Sequence, residues 1–227
     1  MSRLLLVRHG QSVWNAEARI QGQACRGLSA TGHAQAKALG EALADEVALV
    51  DGPVTLVTSD LQRCRETIAP LCERLAVEPD VDPRLRERSF GSWEGRLRAE
   101  VAAEDADRWR RFCAGDEVVH EVGGESAQQL GDRVEPVLRG LLDATPAGGV
   151  TVVVTHGGPV WQGLHRLLDL PLSSLGGVAN AGISEVVAWR PGSLALGRWN
   201  DVGHLEPSLR TVFAPPRTPT DAPPIGR

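Results

Sequence analysis

A run of apolar residues, Leu4, Leu5, Leu6 and Val7, stops at Arg8-His9-Gly10, and a second run, Val150 to Val154, stops at Thr155-His156-Gly157-Gly158. Short unbroken apolar runs bounded by glycine read as strands buried on both faces, the pattern of a largely parallel sheet covered by helices. In open α/β sheets ligands bind beyond the carboxyl ends of the strands, and glycine there lets the backbone approach an anion closely. Two histidines and an arginine delivered to such ends mark a local anion site.

The rest of the chain fits that frame. Gln11 to Gly32 reads as a loop with a helical turn near Ser12 to Ala18. Thr31 opens a helix in which Ala34, Ala38, Leu39, Ala42 and Leu43 recur at helical spacing until Leu49, before Asp51-Gly52-Pro53 breaks the chain. Val54 to Thr58 is another buried strand, with Ser59 or Asp60 expected to cap a helix from Leu61 to about Leu75. Val81 to Leu85 reads as a short strand and Arg86 to Gly95 as irregular. Helical patterns cover Leu97 to Cys113 and Ser126 to Leu142, and both are assigned to an insertion over about residues 95–149. After the strand at Val150 come a helix from Pro159 to Leu168 and a hairpin of Ile183 to Trp189 with Leu194 to Asn200, turning at Pro191-Gly192. The expected fold class is α/β, a three-layer α/β/α sandwich with a mostly parallel mixed sheet and a helical lid insertion. One domain is expected over 1–213, with a Pro-rich, disordered tail at 214–227.

Composition narrows the partners. With 227 residues and a net charge of -5 the chain has no global basic field, which argues against nucleic acid or an anionic membrane surface as a partner. Nearly all its positive residues are arginine, Lys37 being the lone lysine. Cys25, Cys64, Cys72 and Cys113 show no Cys-x-x-Cys spacing, so neither a zinc cage nor a disulfide framework is implied. The opening apolar run is too short for a signal peptide and no stretch reaches membrane-spanning length. The expectation is a cytoplasmic protein with no membrane partner; a homodimer is left open.

Further segments join the two histidines: Gln11-Ser12 with Asn15, Ser59-Asp60-Leu61-Gln62-Arg63, Leu85-Arg86-Glu87 with Phe90-Gly91-Ser92-Trp93-Glu94-Gly95, and Gly123-Gly124-Glu125-Ser126. In this order the chain resembles the histidine phosphatase superfamily, the phosphoglycerate-mutase-like fold, from Ser2 to about Glu206. The resemblance implies a metal-independent enzyme without cofactor, acting on a small-molecule phosphate ester through a phosphohistidine.

The residues carry that chemistry on their own terms. A neutral imidazole at His9 can attack phosphorus in line and split one displacement into two, and an ordinary histidine pKa near ~6.5 leaves much of it neutral. An isolated histidine after a strand is as readily a core residue; Arg8 and His156 shift the balance. Arg8 and Arg63 offer guanidinium forks suited to phosphoryl oxygens, and Arg63 stands near a helix start. The resemblance makes His156 a donor to the phosphoryl group and Glu87 the general acid, then base, for which an ion pair with Arg84, Arg86 or Arg88 is the plain alternative. Asn15, Gln21, Gly22 and Gly157 complete the expected substrate contacts, although Asn15 also suits a simple turn. Trp14, Trp93 and Trp109 are read as core before pocket wall. Arg26, where relatives carry an acid, is read as either a solvated charge or an attractor for an anionic substrate group.

Mutases of the family share both histidines, so phosphoglycerate mutase activity is the alternative, as is a non-catalytic phospholigand-binding protein. Mutases typically follow the acid with a His-Tyr-Gly-type segment and the second histidine with Gly-Asn. Here Glu87 is followed by Arg88-Ser89-Phe90-Gly91 and His156 by Gly157-Gly158, which resembles the phosphatase branch and a sugar phosphate or phosphoglycerate-type substrate.

Overall fold

The computed structural model describes residues 1–24, 26–171, 174–190 and 192–211. Strand β1 (Ser2–Arg8) lies between β4 (Val150–Thr155), to which it is parallel, and β5 (Ile183–Arg190), to which it is antiparallel. The six-stranded order is β3-β2-β4-β1-β5-β6, with β2 (Val54–Thr58) and β3 (Asp80–Val81) parallel and β6 (Ser193–Asp201) closing an antiparallel edge. The mixed sheet thus has the expected parallel majority in its centre.

Alternation along β1 builds both cores. Leu4 and Leu6 pack on one face with residues of α6 (Ala127–Ala144) and α7 (Gly157–Leu168), while Leu5 and Val7 face α2 (Ala30–Val47) and α3 (Gln62–Leu75). All four side chains are fully buried, so either face loses a large apolar area if β1 slips by one residue. This is a three-layer sandwich.

Several elements differ from expectation, each for a local reason. The helix from Leu97 divides into α4 (Arg98–Glu104) and α5 (Ala106–Ala114), because Asp105 leaves helical geometry and accepts a hydrogen bond from the Arg108 amide at 3.0 Å. Strand β3 ends at Val81, since Asp82 caps a 3-10 turn at Pro83–Leu85 and Pro83 has no amide for the ladder. Neither Ser59 nor Asp60 caps α3. Leu61 holds that position without a side-chain bond, while Asp60 is drawn into an ion pair with Arg86.

The insertion is also narrower than residues 95–149. Helix α6 buries Leu130, Val134, Leu138 and Leu142 against the sheet and belongs to the sandwich. What stands over the sheet end is α4, α5 and the 3-10 turn Val119–Val122, held by Trp93, Trp109 and Phe112 with ring centroids 5.5 to 6.0 Å apart. The residues expected to form the tail, 214–227, lie outside the described residues. Among those described, no helix is long and apolar enough to cross a membrane.

Candidate active site

Sheet register sets the site. Arg8 is paired with Thr155 across β1 and β4, and the His9 amide donates to the Thr155 carbonyl at 2.9 Å, so the two histidines step off neighbouring strands at one level. Their rings meet edge to face with centroids 5.2 Å apart. Close backbone packing holds the first of them in place: a Cβ on Gly10 would stand 2.8 Å from the Gly32 carbonyl oxygen.

Both imidazoles are buried, and burial together with the positive charges of Arg63 and Arg8 pushes their pKa values well below the ordinary histidine range. His9 is therefore neutral across a wider pH range than its ordinary value implies. Its Nδ1 lies 2.6 Å from the Gly10 carbonyl and donates to it, leaving Nε2 as the basic nitrogen. Arg8 is brought down to about 10 by burial and still carries its charge at neutral pH; its guanidinium donates to the Val178 carbonyl.

A cavity of about 500 Å³ opens over these groups. Arg8, His9, Arg63 and Glu87 line it, as do the expected substrate contacts Asn15, Gln21, Gly22 and Gly157. Asn15 accepts from the Ser12 amide and from Asn180 through Oδ1, which turns its Nδ2 donor to other use. Gln21 accepts from the Ser12 hydroxyl at 2.8 Å.

Arg63 is more than a phosphate clamp. Fully buried, it donates from Nε to His156 Nδ1 at 3.1 Å, from Nη1 to the Ala24 carbonyl at 3.0 Å and from Nη2 to the Gly22 carbonyl at 2.7 Å. It ties the loop at residues 22–24 to the sheet. The same loop is pinned from its other side by the Glu94 carboxylate, which accepts from the amides of Gln23, Ala24 and Phe90. Gly22 adopts φ +57°, and a Cβ there would lie 2.1 Å from Glu94 Oε1.

His156 differs from its expected position. It lies behind the cavity wall, with Nδ1 accepting from Arg63 and Nε2 donating to Ser59 Oγ at 3.0 Å. In the sequence Ser59 is a candidate helix cap and the first residue of the Ser59–Arg63 segment, with no tie to His156; its position at the end of β2, beside β4, is the available signal. Arg26 is exposed and does not line the cavity, whereas Arg98, which sequence reasoning passed over, does.

Glu87 is held over the start of α7. Its Oε2 accepts from the Gly158 amide at 3.3 Å and its Oε1 from the Arg88 amide at 2.8 Å. None of Arg84, Arg86 or Arg88 pairs with it: these bind Asp82, Asp60 and Glu117. The plain ion-pair reading of this carboxylate therefore fails.

Neutral imidazole, arginine charge and a carboxylate around one cavity, beyond the carboxyl ends of parallel strands, define an enzyme of phosphoryl chemistry. The profile of the histidine phosphatase superfamily (branch 1) matches residues 4–202, and the chain belongs to that superfamily. A glucosyl-3-phosphoglycerate phosphatase of Mycobacterium tuberculosis is 35% identical over 202 residues, covering 84% of this chain and 88% of the relative. A metal-independent phosphoserine phosphatase of Arabidopsis thaliana is 33% identical over 207 residues, 90% of this chain and 84% of that one; other relatives carry the phosphoglycerate mutase name. The solved structure of the mycobacterial glucosyl-3-phosphoglycerate phosphatase with VO3 superposes with a TM-score of 0.76 at 33% identity, covering 87% of this chain and 98% of that chain.

Proposed function

We propose that this phosphoric monoester hydrolase works by double displacement at His9, without metal or cofactor, on small sugar-phosphate or phosphoglycerate-type esters. The observation that carries the reading is the His9 imidazole, held neutral with Nδ1 committed to a carbonyl, beside Arg8 and facing the same cavity as Glu87.

In the first step Nε2 of His9 forms a bond to phosphorus as the ester P–O bond breaks, and the Glu87 carboxyl passes its proton to the leaving oxygen. In the second, Glu87 as carboxylate takes a proton from water. The water oxygen then bonds to phosphorus, the P–N bond breaks, and phosphate leaves with His9 restored. Arg8, the Asn15 amide and the amide end of α7 at Gly157 supply fixed positive potential to the phosphoryl oxygens. Arg63 contributes charge from behind while it orders the loop at residues 22–24. His156, already engaged by Arg63 and Ser59, would reach the phosphoryl group only by exchanging its Ser59 partner for substrate.

The test is phosphate release from p-nitrophenyl phosphate and a panel of sugar phosphates and phosphoglycerates, with rapid quenching to trap a phosphoryl adduct on His9. Release by wild type, its loss in His9→Ala and an adduct on His9 are the expected results. Failure of wild type to release phosphate from any ester would leave the phospholigand-binding reading in its place. The phosphatase reading is preferred over mutase chemistry because Gly158 leaves room for the Glu87 carboxylate; 3-phosphoglycerate with 2,3-bisphosphoglycerate should give little 2-phosphoglycerate. The proposed setting is the cytoplasm, with small molecules and no nucleic acid as partners.

A further inference from the structure

Asn15, Gln21 and Gln162 bring carboxamide side chains to the cavity wall. Asn15 Oδ1 already accepts from the Ser12 amide and from Asn180, and Gln21 Oε1 accepts from the Ser12 hydroxyl. Gln162 is different. It is 4% exposed, yet among the described residues its side chain makes no hydrogen bond. Its polar atoms are not sealed inside protein either, and the open space they meet is the cavity.

Its place on α7 says which part of a substrate it meets. Gln162 follows Gly158 by one helical turn on the same face, and helical side chains lean toward the N-terminus, over the turn before their own. The Gly158 amide donates to the Glu87 carboxylate at 3.3 Å, so the alcohol that takes its proton from Glu87 departs along this face. The surroundings there are apolar. Leu130 packs close to Gly158, and Trp161 spends its indole N–H on the Leu175 carbonyl at 3.2 Å. An amide held out of water without a partner is unfavourable, and a ligand that supplies the missing bonds gains by doing so.

We infer that Gln162 is a specificity-determining residue of this site, pairing its amide with a hydroxyl carried by the alcohol that leaves. A carboxamide offers N–H donors beside an oxygen acceptor. A hydroxyl answers both, whereas a carboxylate only accepts and an ammonium only donates. The inference rests on the phosphatase reading and deepens it: Arg8, Asn15 and the start of α7 meet the phosphoryl group, which every substrate shares, while Gln162 selects what is attached to it.

The experiment compares glycerol 3-phosphate with n-propyl phosphate, which share a three-carbon chain and differ in their hydroxyls. Wild type is expected to favour glycerol 3-phosphate by about tenfold in kcat/KM, the scale of one hydrogen bond at a site that strands its amide when the hydroxyl is missing. Gln162→Met keeps the length of the side chain and removes both polar atoms. It should bring the ratio to within about twofold, with n-propyl phosphate gaining and glycerol 3-phosphate losing, whereas a merely structural role would lower both and keep the ratio. Should Gln162→Met not fold, Gln162→Leu reads the same quantity. Equal kcat/KM for the two esters in wild type, or a ratio unchanged in the variant, overturns the inference. If p-nitrophenyl phosphate is hydrolysed but the pair is turned over too slowly, their competitive inhibition constants carry the same ratio. If wild type hydrolyses no ester, the phosphatase reading fails by itself, and the ratio of Kd values for the two esters, with and without Gln162→Met, still decides the role of Gln162.

Discussion

A Cβ at position 158 would stand 2.3 Å from Glu87 Oε1, and the Gly158 amide is itself a donor to the same carboxylate. The absence of a side chain on α7 therefore sets where the proposed acid stands. Gly158→Asn, the residue mutases carry there, should displace Glu87 and lower kcat by about a hundredfold, the lower end of what general acid–base catalysis supplies. Binding of inorganic phosphate should change little. Combined with Glu87→Gln the two losses should not add, because both act through one carboxylate; additive losses would separate them.

The neutral state of His9 predicts the acid side of the pH profile. At saturating p-nitrophenyl phosphate, the burst that reports phosphorylation of the enzyme should show no loss centred at the ordinary histidine value of about 6.5 as pH is lowered. A loss of burst rate centred at about pH 6.5 would mean that His9 is not held neutral in the folded protein.

Stability should follow the same two imidazoles. His9 and His156 have depressed pKa values in the folded protein, so above about pH 6.5 neither state binds a proton and they contribute no pH dependence. Below that value the unfolded chain takes up a proton on each ring and the folded protein does not, so stability falls with pH toward the folded-state values. Each ring adds a slope of about 1.4 kcal/mol per pH unit. Urea melts between pH 7.5 and 5 should show this decline, and it should be shallower in His9→Ala.

Gly22→Ala should cost about 1–3 kcal/mol from its left-handed backbone alone, and the contact with Glu94 adds to that. Because Arg63 and Glu94 both hold this loop, KM should rise with kcat less affected. A melting temperature equal to that of wild type would overturn the prediction.

Chelation should leave turnover intact. None of the proposed steps uses a metal, so dialysis against EDTA followed by the p-nitrophenyl phosphate assay should return the starting rate.

The central strands were legible because β4, the middle of β1 and the last three residues of β2 are buried on both faces. Arg8, His9, Arg63 and Glu87 came with them as ordered motifs at a strand end, in the first turn of α3 or in the loop after β3. The break between α4 and α5 was not legible, since a helical pattern runs on through Asp105 and only its bond to Arg108 ends the first helix. Ser59 suits a helix cap in sequence and is claimed by His156 in space. The same limit hid Arg98: a lone arginine at the start of a short helix looks solvated until the cavity wall is seen. Arg26, the loop residue offered as an attractor for an anionic substrate group, faces solvent. α6 was assigned to the insertion because its periodicity shows an apolar face without showing what covers it.

The bond from the His9 amide to Thr155 joins the end of β1 to the end of β4, far downstream in the sequence. Synthesis of most of the chain must therefore be complete before the proposed nucleophile has its neighbours, its neutral charge state or its cavity. A nascent or truncated chain ending before β4 would carry Arg8 and His9 on an unpaired strand, with no hydrolytic power over the cell's phosphate esters. Turnover thus becomes a reporter of complete sheet assembly, and its recovery during refolding should coincide with the slowest long-range pairing and not with early helix formation.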